Sequence, residues 1–256
     1  LNNDKKQDVI LLDPKNPGIT NYLGDGRGGF REGRLVAPDN AISRVVLTHL
    51  NNDGIVDLMT YDWVKSELHL LYGVGRGRFL DQTVFPVEGD LKDLLVLEKG
   101  KEGYLDLILV MKNPPGIQYW EGNGLGDFRK TSAIPFSDDI LGVATADVNN
   151  DHLKDLVVLS PGLLEVHLNS PEDPFREKIT YSCSPSSVQL FVIDANRDKR
   201  TEALVLEKDD RLRVFLSGNQ PQVLKDSLEF ATGLSPAAVW VGNATSDQST
   251  DVVLVN

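Results

Sequence analysis

Apolar and polar residues alternate along this chain in short runs, without a helical period. The runs are five to eight residues long, rich in Val, Ile, Leu and Tyr, and bounded by Gly, Asn, Asp or Pro. Such runs predict β-strands separated by tight turns. No segment keeps apolar residues at helical spacing. The pattern therefore predicts an all-β protein.

The strand pattern repeats. Six similar segments each place an acidic residue directly before an apolar run, at intervals of 49, 49, 49, 47 and 49 residues. A second landmark agrees, because Phe30, Phe79 and Phe128 each follow their acidic residue by 22 positions. This regularity predicts one structural unit per repeat. The six acidic residues are Asp8, Asp57, Asp106, Asp155, Glu202 and Asp251.

Each repeat predicts four strands, named A to D in chain order. In the second repeat they are RVVLTHL, DLMTYDW, ELHLLYG and FLDQTVF. Four strands in about 50 residues, repeated, are typical of a β-propeller blade. A two-residue deletion between Asp155 and Phe175 predicts a turn between strands C and D there, since loops tolerate deletions.

We predict a single β-propeller domain of four-stranded antiparallel blades over residues 1–256. The first repeat starts inside its A–B loop and the last ends after strand B. The final strand A could complete the first blade and close five blades, but the strand at 251–256 would then be surplus. Exposed strand edges are sticky, so we favour a fragment of a larger propeller of about seven blades.

The A–B loop carries candidate metal ligands. Its fullest copy, Asp147-Val-Asn149-Asn-Asp151-His-Leu-Lys-Asp155, has side-chain oxygens at positions 1, 3, 5 and 9. Oxygen ligands at alternate positions suit Ca²⁺. An EF-hand is excluded, because position 12 is Val158 rather than Glu.

The loop, the following LVVL run and the later Gly-rich turn before Phe together resemble the FG-GAP/VCBS repeat family, whose repeats build the integrin α-subunit propeller. The resemblance covers the whole chain. It implies a propeller fold, Ca²⁺ in the A–B loops, and an extracellular or surface role in adhesion or ligand binding.

Carried over loop by loop, the resemblance implies three sets of calcium ligands. The alternative is that these residues form metal-free Asx turns. His49 and Gly100 depart from the pattern in the second and third loops. The implied ligands are Asp147, Asn149, Asp151 and Asp155, then Asp194, Asn196, Asp198 and Glu202, and then Asn243, Thr245, Asp247 and Asp251.

Composition excludes several classes of protein. With 26 basic and 38 acidic residues the net charge is −12, and an acidic surface repels phosphate backbones, so we expect no nucleic-acid partner. No stretch of 18 apolar residues occurs, so we expect no membrane span. The one cysteine, Cys183, cannot form an intramolecular disulfide or a Cys-based zinc site.

No sequence pattern points to catalysis, and we expect the chain not to be an enzyme. The segment from Gly24 to Gly29 matches G-x-G-x-x-G, but it lies between two strands and is interpreted as a turn. His69 and His167 share one position of strand C that holds other residues in other repeats, so we interpret that position as tolerant of substitution.

The predicted function is a non-enzymatic, calcium-stabilised binding or adhesion module that uses propeller loop surfaces for protein ligands. It would act outside the cell or at its surface, with a periplasmic location left open. The alternative is a carbohydrate-binding propeller, since Trp63 and Trp120 lie near strand ends where they could stack on sugars. We expect Trp240 to lie in the core. Sequence does not define the ligand or the oligomeric state.

Overall fold

A computed structural model describes residues 1–12, 17–37, 41–51, 53–99, 104–218, 223–233, 238–242 and 251–255. Within these ranges it contains 21 β-strands and no helix, which confirms the all-β prediction. It follows that none of the described residues forms a helix capable of crossing a membrane.

The chain packs as two compact units, residues 1–136 and 137–256. The first unit has one three-stranded and two four-stranded antiparallel sheets. Their strands are β1 (Val9–Leu12), β2 (Ile19–Gly24) and β3 (Phe30–Val36); β4 (Ile42–Thr48), β5 (Asp57–Asp62), β6 (Glu67–Gly73) and β7 (Phe79–Pro86); and β8 (Asp90–Lys99), β9 (Tyr104–Asn113), β10 (Pro115–Gly122) and β11 (Phe128–Pro135).

The second unit has two four-stranded antiparallel sheets and a pair of strands. Its strands are β12 (Gly142–Ala146), β13 (Asp155–Ser160), β14 (Leu163–Leu168) and β15 (Glu177–Ser182); β16 (Ser187–Ile193), β17 (Glu202–Glu207), β18 (Arg211–Ser217) and β19 (Leu224–Ala231); and β20 (Ala238–Gly242) and β21 (Asp251–Val255).

Each four-stranded sheet is a meander in which strands A to D pair in chain order, as the repeat predicts. Because successive strands are antiparallel, the connections fall at two opposite ends of each blade. We name the end with the A–B loops and C–D turns the AB end. The end with the B–C turns and the D–A links is the BC end.

Buried clusters lie between successive sheets of each unit. In the first unit Met59, Leu70 and Leu107 belong to one such cluster, and in the second Val157 and Val205 belong to another. Every residue of β5, β13 and β17 is buried. This explains why the B strands are continuous apolar runs rather than alternating ones.

Two of the three tryptophans lie elsewhere than the sequence suggests. Trp120 is only 7% exposed, because its ring packs edge-on against Phe85, with centroids 6.4 Å apart. Trp240, expected in the core, is 49% exposed. Its neighbour Val239 is in a buried cluster, and adjacent strand residues face opposite sides of a sheet. Trp63, at 62% exposure, agrees with the expectation.

The deletion in the fourth repeat was predicted in the C–D connection, and this is wrong. It falls in the B–C turn, which has two residues between β13 and β14 but four between β5 and β6. From the residue whose backbone N bonds the acidic residue to the following Phe there are six positions in both blades, Asn169 to Phe175 and Gly73 to Phe79. Phe175, however, does not start strand D. It lies in the loop between β14 and β15 with φ of 65°, and its backbone N donates to Leu168 O at 2.9 Å. Its side chain is buried, so the aromatic landmark is kept while the strand begins two residues later.

Candidate functional site

The acidic residue that recurs in the repeats is buried and joins two segments of its blade by hydrogen bonds, and we call this residue the brace. Asp155 Oδ2 accepts from Val148 N at 3.1 Å, and its Oδ1 accepts from Asn169 N at 2.8 Å. One carboxylate therefore ties the A–B loop to the end of strand C. The same pair of bonds joins Asp8 to Leu1 and Gly24, Asp57 to Leu50 and Gly73, and Glu202 to Ala195 and Ser217.

Asp106 shows a variation of the brace. Its Oδ1 accepts from Gly122 N at 2.9 Å, but its Oδ2 accepts from the Tyr119 hydroxyl at 2.5 Å. The change follows from the A–B connection, because β8 extends to Lys99 and Glu98 pairs with Leu105 inside the sheet. Glu98 thus lies in a strand rather than in a loop that could surround a cation.

Burial changes the titration of the braces. Burial raises the pKa of Asp155 to about 6, the two backbone hydrogen bonds oppose this, and the charges of Asp151 and Asp147 add to it. Burial likewise raises the pKa of Asp57. These carboxyls are held in place at an electrostatic cost, which the hydrogen bonds offset.

Asx turns shape the A–B loop. Asn149 Oδ1 accepts from Asp151 N at 3.0 Å, Asp151 Oδ1 accepts from Leu153 N at 2.8 Å, and Asn149 Nδ2 donates to Asp151 Oδ2 at 2.8 Å. All three bonds recur in three other loops, so the fold repeats at atomic detail. The corresponding pairs are Asn2 and Asp4, Asn51 and Asp53, and Asn196 and Asp198.

The residue at position 1 closes the loop. Asp147 Oδ1 accepts from Asp151 N at 3.1 Å and Oδ2 from His152 N at 2.9 Å. Asp194 Oδ2 accepts from Lys199 N at 2.9 Å. In the second loop the equivalent residue is His49, whose Nδ1 lies 3.0 Å from Ile55 O.

The donors of the Asp147 loop fit a hard cation in their chemistry. Positions 1, 3, 5 and 9 each offer a side-chain oxygen, the ligand atom that Ca²⁺ prefers. Among the described residues no Lys or Arg pairs with Asp147 or Asp151, and the Nδ1 atom of His152 lies 3.9 Å from Asp147 Oδ2. In the described part of the chain no three His, Cys, Asp or Glu side chains are already grouped around a metal position. A cation would therefore exchange Asx-turn bonds for metal contacts.

The other predicted loops differ from this one. The Asp194 loop has the same turns but carries Arg197, Lys199 and Arg200 between its ligand positions, and these positive charges oppose a cation. Gly100 and Glu102 of the third loop lie outside the described residues. So do Asn243, Thr245 and Asp247 of the last loop, whose brace Asp251 begins β21.

A buried Glu–His pair on strand C escaped the sequence analysis. His167 Nε2 lies 3.3 Å from Glu165 Oε2, and Lys178 Nζ lies 2.7 Å from Glu165 Oε1. In the second repeat, His69 Nε2 lies 3.4 Å from Glu67 Oε2. The Glu-x-His pattern at the same distance from the acidic residue in two repeats was the signal that could have found these pairs. The prediction that His69 and His167 share one position of strand C is wrong, because His69 pairs with Thr60 whereas His167 pairs with Leu156. Glu165 is the residue that corresponds to His69.

This cluster predicts a pH effect. Burial tends to raise the pKa of Glu165, but bonds from Lys178 and His167 outweigh it and lower that pKa below its ordinary value of 4.5. A carboxyl whose pKa is lower in the folded than in the unfolded state stabilises the fold above the unfolded pKa. This stabilisation is lost as the pH falls through the folded pKa. We expect Glu165→Gln to unfold at lower urea than wild type at pH 7, with the gap closing below about pH 4.5. A gap independent of pH would contradict the ion-pair assignment.

The BC end of the first unit exposes apolar side chains on a fixed turn. Asp62 is buried, and its Oδ1 accepts from Val64 N at 3.0 Å and Lys65 N at 3.1 Å. Trp63 and Val64, on this turn, are 62% and 65% exposed. The turn is thus held rigid from below while its two apolar side chains face solvent.

Groups with catalytic potential occupy structural positions. The glycine-rich segment is a turn between β2 and β3, where Asp25 Oδ1 accepts from Arg27 N at 2.7 Å and Gly29 N at 3.0 Å. Burial raises the pKa of the Cys183 thiol, which disfavours the reactive thiolate.

Comparison with known proteins supports the repeat assignment. The FG-GAP-like repeat family matches residues 102–158, a segment that includes the Asp147 loop and its brace. A search of curated proteins found no significant match.

Several solved structures have the same fold at low sequence identity. BBS1N, crystallised in complex with ARL6DN, is similar over 97% of this chain and 71% of its own, with TM-score 0.65 and 10% identity. A functionally unknown protein from Desulfotomaculum acetoxidans is similar over 98% and 76%, with TM-score 0.64 and 10% identity. A Lactobacillus plantarum protein is similar over 99% and 75%, with TM-score 0.64 and 11% identity.

The family match covers one repeat, and the brace and the Asx turns recur in others at the same spacing. The chain is therefore a β-propeller protein in which residues 102–158 match the FG-GAP-like repeat.

Proposed function

We propose that this chain is a non-enzymatic protein-binding module, stabilised by calcium, that acts outside the cell or at its surface. The observation that carries the protein-binding part is the Trp63–Val64 turn. Large apolar side chains that stay exposed on a rigid turn are typical of interaction sites. The propeller neighbour BBS1N was crystallised with a protein, ARL6DN, which supports a protein rather than a small molecule as ligand.

The hydrogen bonds and ion pairs made by the buried polar side chains support a non-catalytic role. Buried carboxylates such as Asp57 and Asp155 have both oxygens bonded to backbone N–H groups. The buried histidines His69 and His167 face glutamates on their own strand. A nucleophile or base must be free to meet a substrate, and these groups are committed to the scaffold.

The calcium part of the proposal rests on the Asp147 loop. Asp147, Asn149, Asp151 and Asp155 would hold the ion, which would neutralise three carboxylates that lack a Lys or Arg partner among the described residues. The Asp194 loop is the second candidate, and the Asn243 loop the third. We expect weak binding, with a Kd on the order of 10⁻⁴–10⁻³ M, as is usual in extracellular modules.

Partner binding tests the proposal. The purified chain would be used to isolate partners under cross-linking from the cells that make it, and each partner would then be purified for direct titration. We expect Trp63→Ser to weaken the Kd at least about tenfold, since buried tryptophans are common hot spots. Leu125→Ser is the matched control, because Leu125 is 80% exposed but lies on a C–D turn at the AB end.

Three outcomes would contradict the proposal. Equal losses of partner affinity for Trp63→Ser and Leu125→Ser would exclude the BC end as the binding surface. Failure of every purified candidate to bind in titration would count against a protein ligand. Turnover of a glycoside, ester or phosphoester that a single Asp, Glu or His substitution abolishes, with folding intact, would identify an enzyme.

A further inference from the structure

A pocket of about 540 Å³ opens at the BC end of the first unit. Glu88 and Gly89, in the link between β7 and β8, form one side. The other side is formed by the end of β9 and by β10 and β11 of the next blade, with Met111, Ile117 and Ile134 among its apolar residues. The pocket therefore lies between the D–A link and the β8–β11 blade to which the link leads.

The pocket coincides with a break in the repeat. At the two strand C positions where the β4–β7 blade has Glu67 and His69, the β8–β11 blade has Gly116 and Gln118. On the neighbouring strand D, Val84 lies opposite His69, whereas Ala133 lies opposite Gln118. The β12–β15 blade again has the larger set, with Leu163 and Glu165 on strand C and Thr180 opposite Glu165. Of these three blades, only the β8–β11 blade has side chains at these positions that are small enough to leave space.

The walls of the pocket are rigid. Gln118 Nε2 donates to Glu88 O at 3.2 Å and so holds the link against β10. Gly89 has φ of 99°, and a Cβ there would lie 3.0 Å from Asn113 O and 3.2 Å from Met111 Cε. The link can approach β9 this closely because residue 89 is glycine.

The lining offers few free hydrogen-bonding groups. Pro114, Pro115 and Pro135 line the pocket and have no N–H. The Gln118 amide is used at both ends, since its Oε1 accepts from Trp120 Nε1 at 3.1 Å. Sugar hydroxyls need such groups, whereas an apolar side chain needs only the apolar walls.

A second apolar surface lies beside the pocket. Val87 N donates to Ser66 O at 2.8 Å, and Tyr61 Oη lies 3.5 Å from Gly89 O. These bonds join the link to the strand and turn that carry Trp63 and Val64. A ligand that contacts both surfaces must extend across two blades, which favours a protein segment over a small molecule.

We propose that this pocket accepts one large apolar side chain from a positively charged segment of a partner protein. The inference rests on the proposed protein-binding function and specifies the chemistry of the partner. The positive charge follows from the net charge of −12; at the mouth itself Glu88 pairs with Lys130 at 3.6 Å, so the two charges balance there. An acidic protein attracts cationic partners.

Methionine methyl groups provide the test. The chain has two methionines: Met111 lines the pocket, whereas Met59 is buried in β5. With ¹³C-methyl methionine, we expect the capped peptide Lys-Ala-Trp-Ala-Lys to shift the Met111 signal and leave Met59 unchanged. One anchor on a short flexible peptide should bind weakly, with a Kd on the order of 1 mM.

Ala133 and Val84 occupy the same register position of strand D in their two blades, so substitutions at these residues form a matched pair. Ala133→Phe places a ring in the pocket from an exposed strand position, and it should abolish the Met111 shift. Val84→Phe makes the same change in the β4–β7 blade and should leave the shift intact. Met111→Leu assigns the signal. If Ala133→Phe moves the Met59 signal as well, which would indicate misfolding, Ala133→Leu is the smaller replacement.

Other probes separate the remaining ligands. A serine-centred peptide, a glutamate-flanked tryptophan peptide and galactose should each shift Met111 less than a tenth as much. No Met111 shift with the lysine-flanked peptide overturns the inference, and so does an equal shift with free indole, which would indicate a small-molecule site. If Trp63→Ser still weakens the full partner while Met111 stays silent, the proposed function stands and the pocket assignment fails.

Discussion

Replacing Asp155 with alanine is expected to lower the free energy of unfolding by about 2–4 kcal/mol. The substitution removes the acceptor of two backbone N–H groups, those of Val148 and Asn169, and a buried donor without an acceptor costs roughly 1–3 kcal/mol. The loss is moderated because the variant no longer buries a carboxyl whose pKa burial raises to about 6. Urea unfolding in chelator at pH 7 measures the effect without any contribution from calcium.

Asp151→Ala is the matched control for the brace. Asp151 lies four residues earlier in the same loop and is exposed, so its loss should lower stability much less in chelator. Asp155→Asn keeps one acceptor oxygen but presents an amide N–H₂ to the other N–H, so it should fall between wild type and Asp155→Ala. Equal stability of Asp151→Ala and Asp155→Ala would contradict the brace.

Calcium is expected to raise the free energy of unfolding by about 2.7 kcal/mol in ~10 mM Ca²⁺, if one site binds with a Kd of about 0.1 mM and only the folded chain binds. The gain should appear as a higher Tm in calcium than in chelator. Magnesium at equal concentration should give a smaller gain, because it demands tighter octahedral geometry.

The A–B loops offer a control that distinguishes the stability gained from bound calcium from the stability gained from the Asx turns. Asp151 and Asp53 make the same Asx-turn bonds, each accepting from the backbone N–H two residues later. Position 1 is Asp147 in one loop and His49 in the other. Asp151→Ala and Asp53→Ala should lose similar stability in chelator, but only Asp151→Ala should lose the calcium gain. Equal Tm values for wild type in calcium and in chelator would leave the Asx turns as the whole role of these residues.

The sequence alone determined the architecture. The interval of about 49 residues and the period of the apolar runs predicted four-stranded blades. The strands follow that pattern, except that strand C of the β12–β15 blade lies two residues closer to its acidic residue than strand C of the β4–β7 blade does. The reason is physical: a blade buries both faces of strand B, so each repeat must carry the same apolar run after the same acidic residue. The Asx turns were also foreseen as one of two interpretations, because short polar side chains bond their own backbone locally.

Only the tertiary structure decided which backbone groups those acidic residues bind and where the pocket lies. The bond between Asp155 and Asn169 joins the first residue of β13 to the residue that follows β14, and no local pattern in the sequence reports such a pairing. The burial of Trp120 and the exposure of Trp240 depend on which face of a strand meets the next blade. The pocket beside Gly116 forms where Glu88 and Gly89 of the β7–β8 link face small residues of the β8–β11 blade. Sequence records the local preferences of each repeat, whereas contacts between blades depend on the three-dimensional packing of residues far apart in the chain.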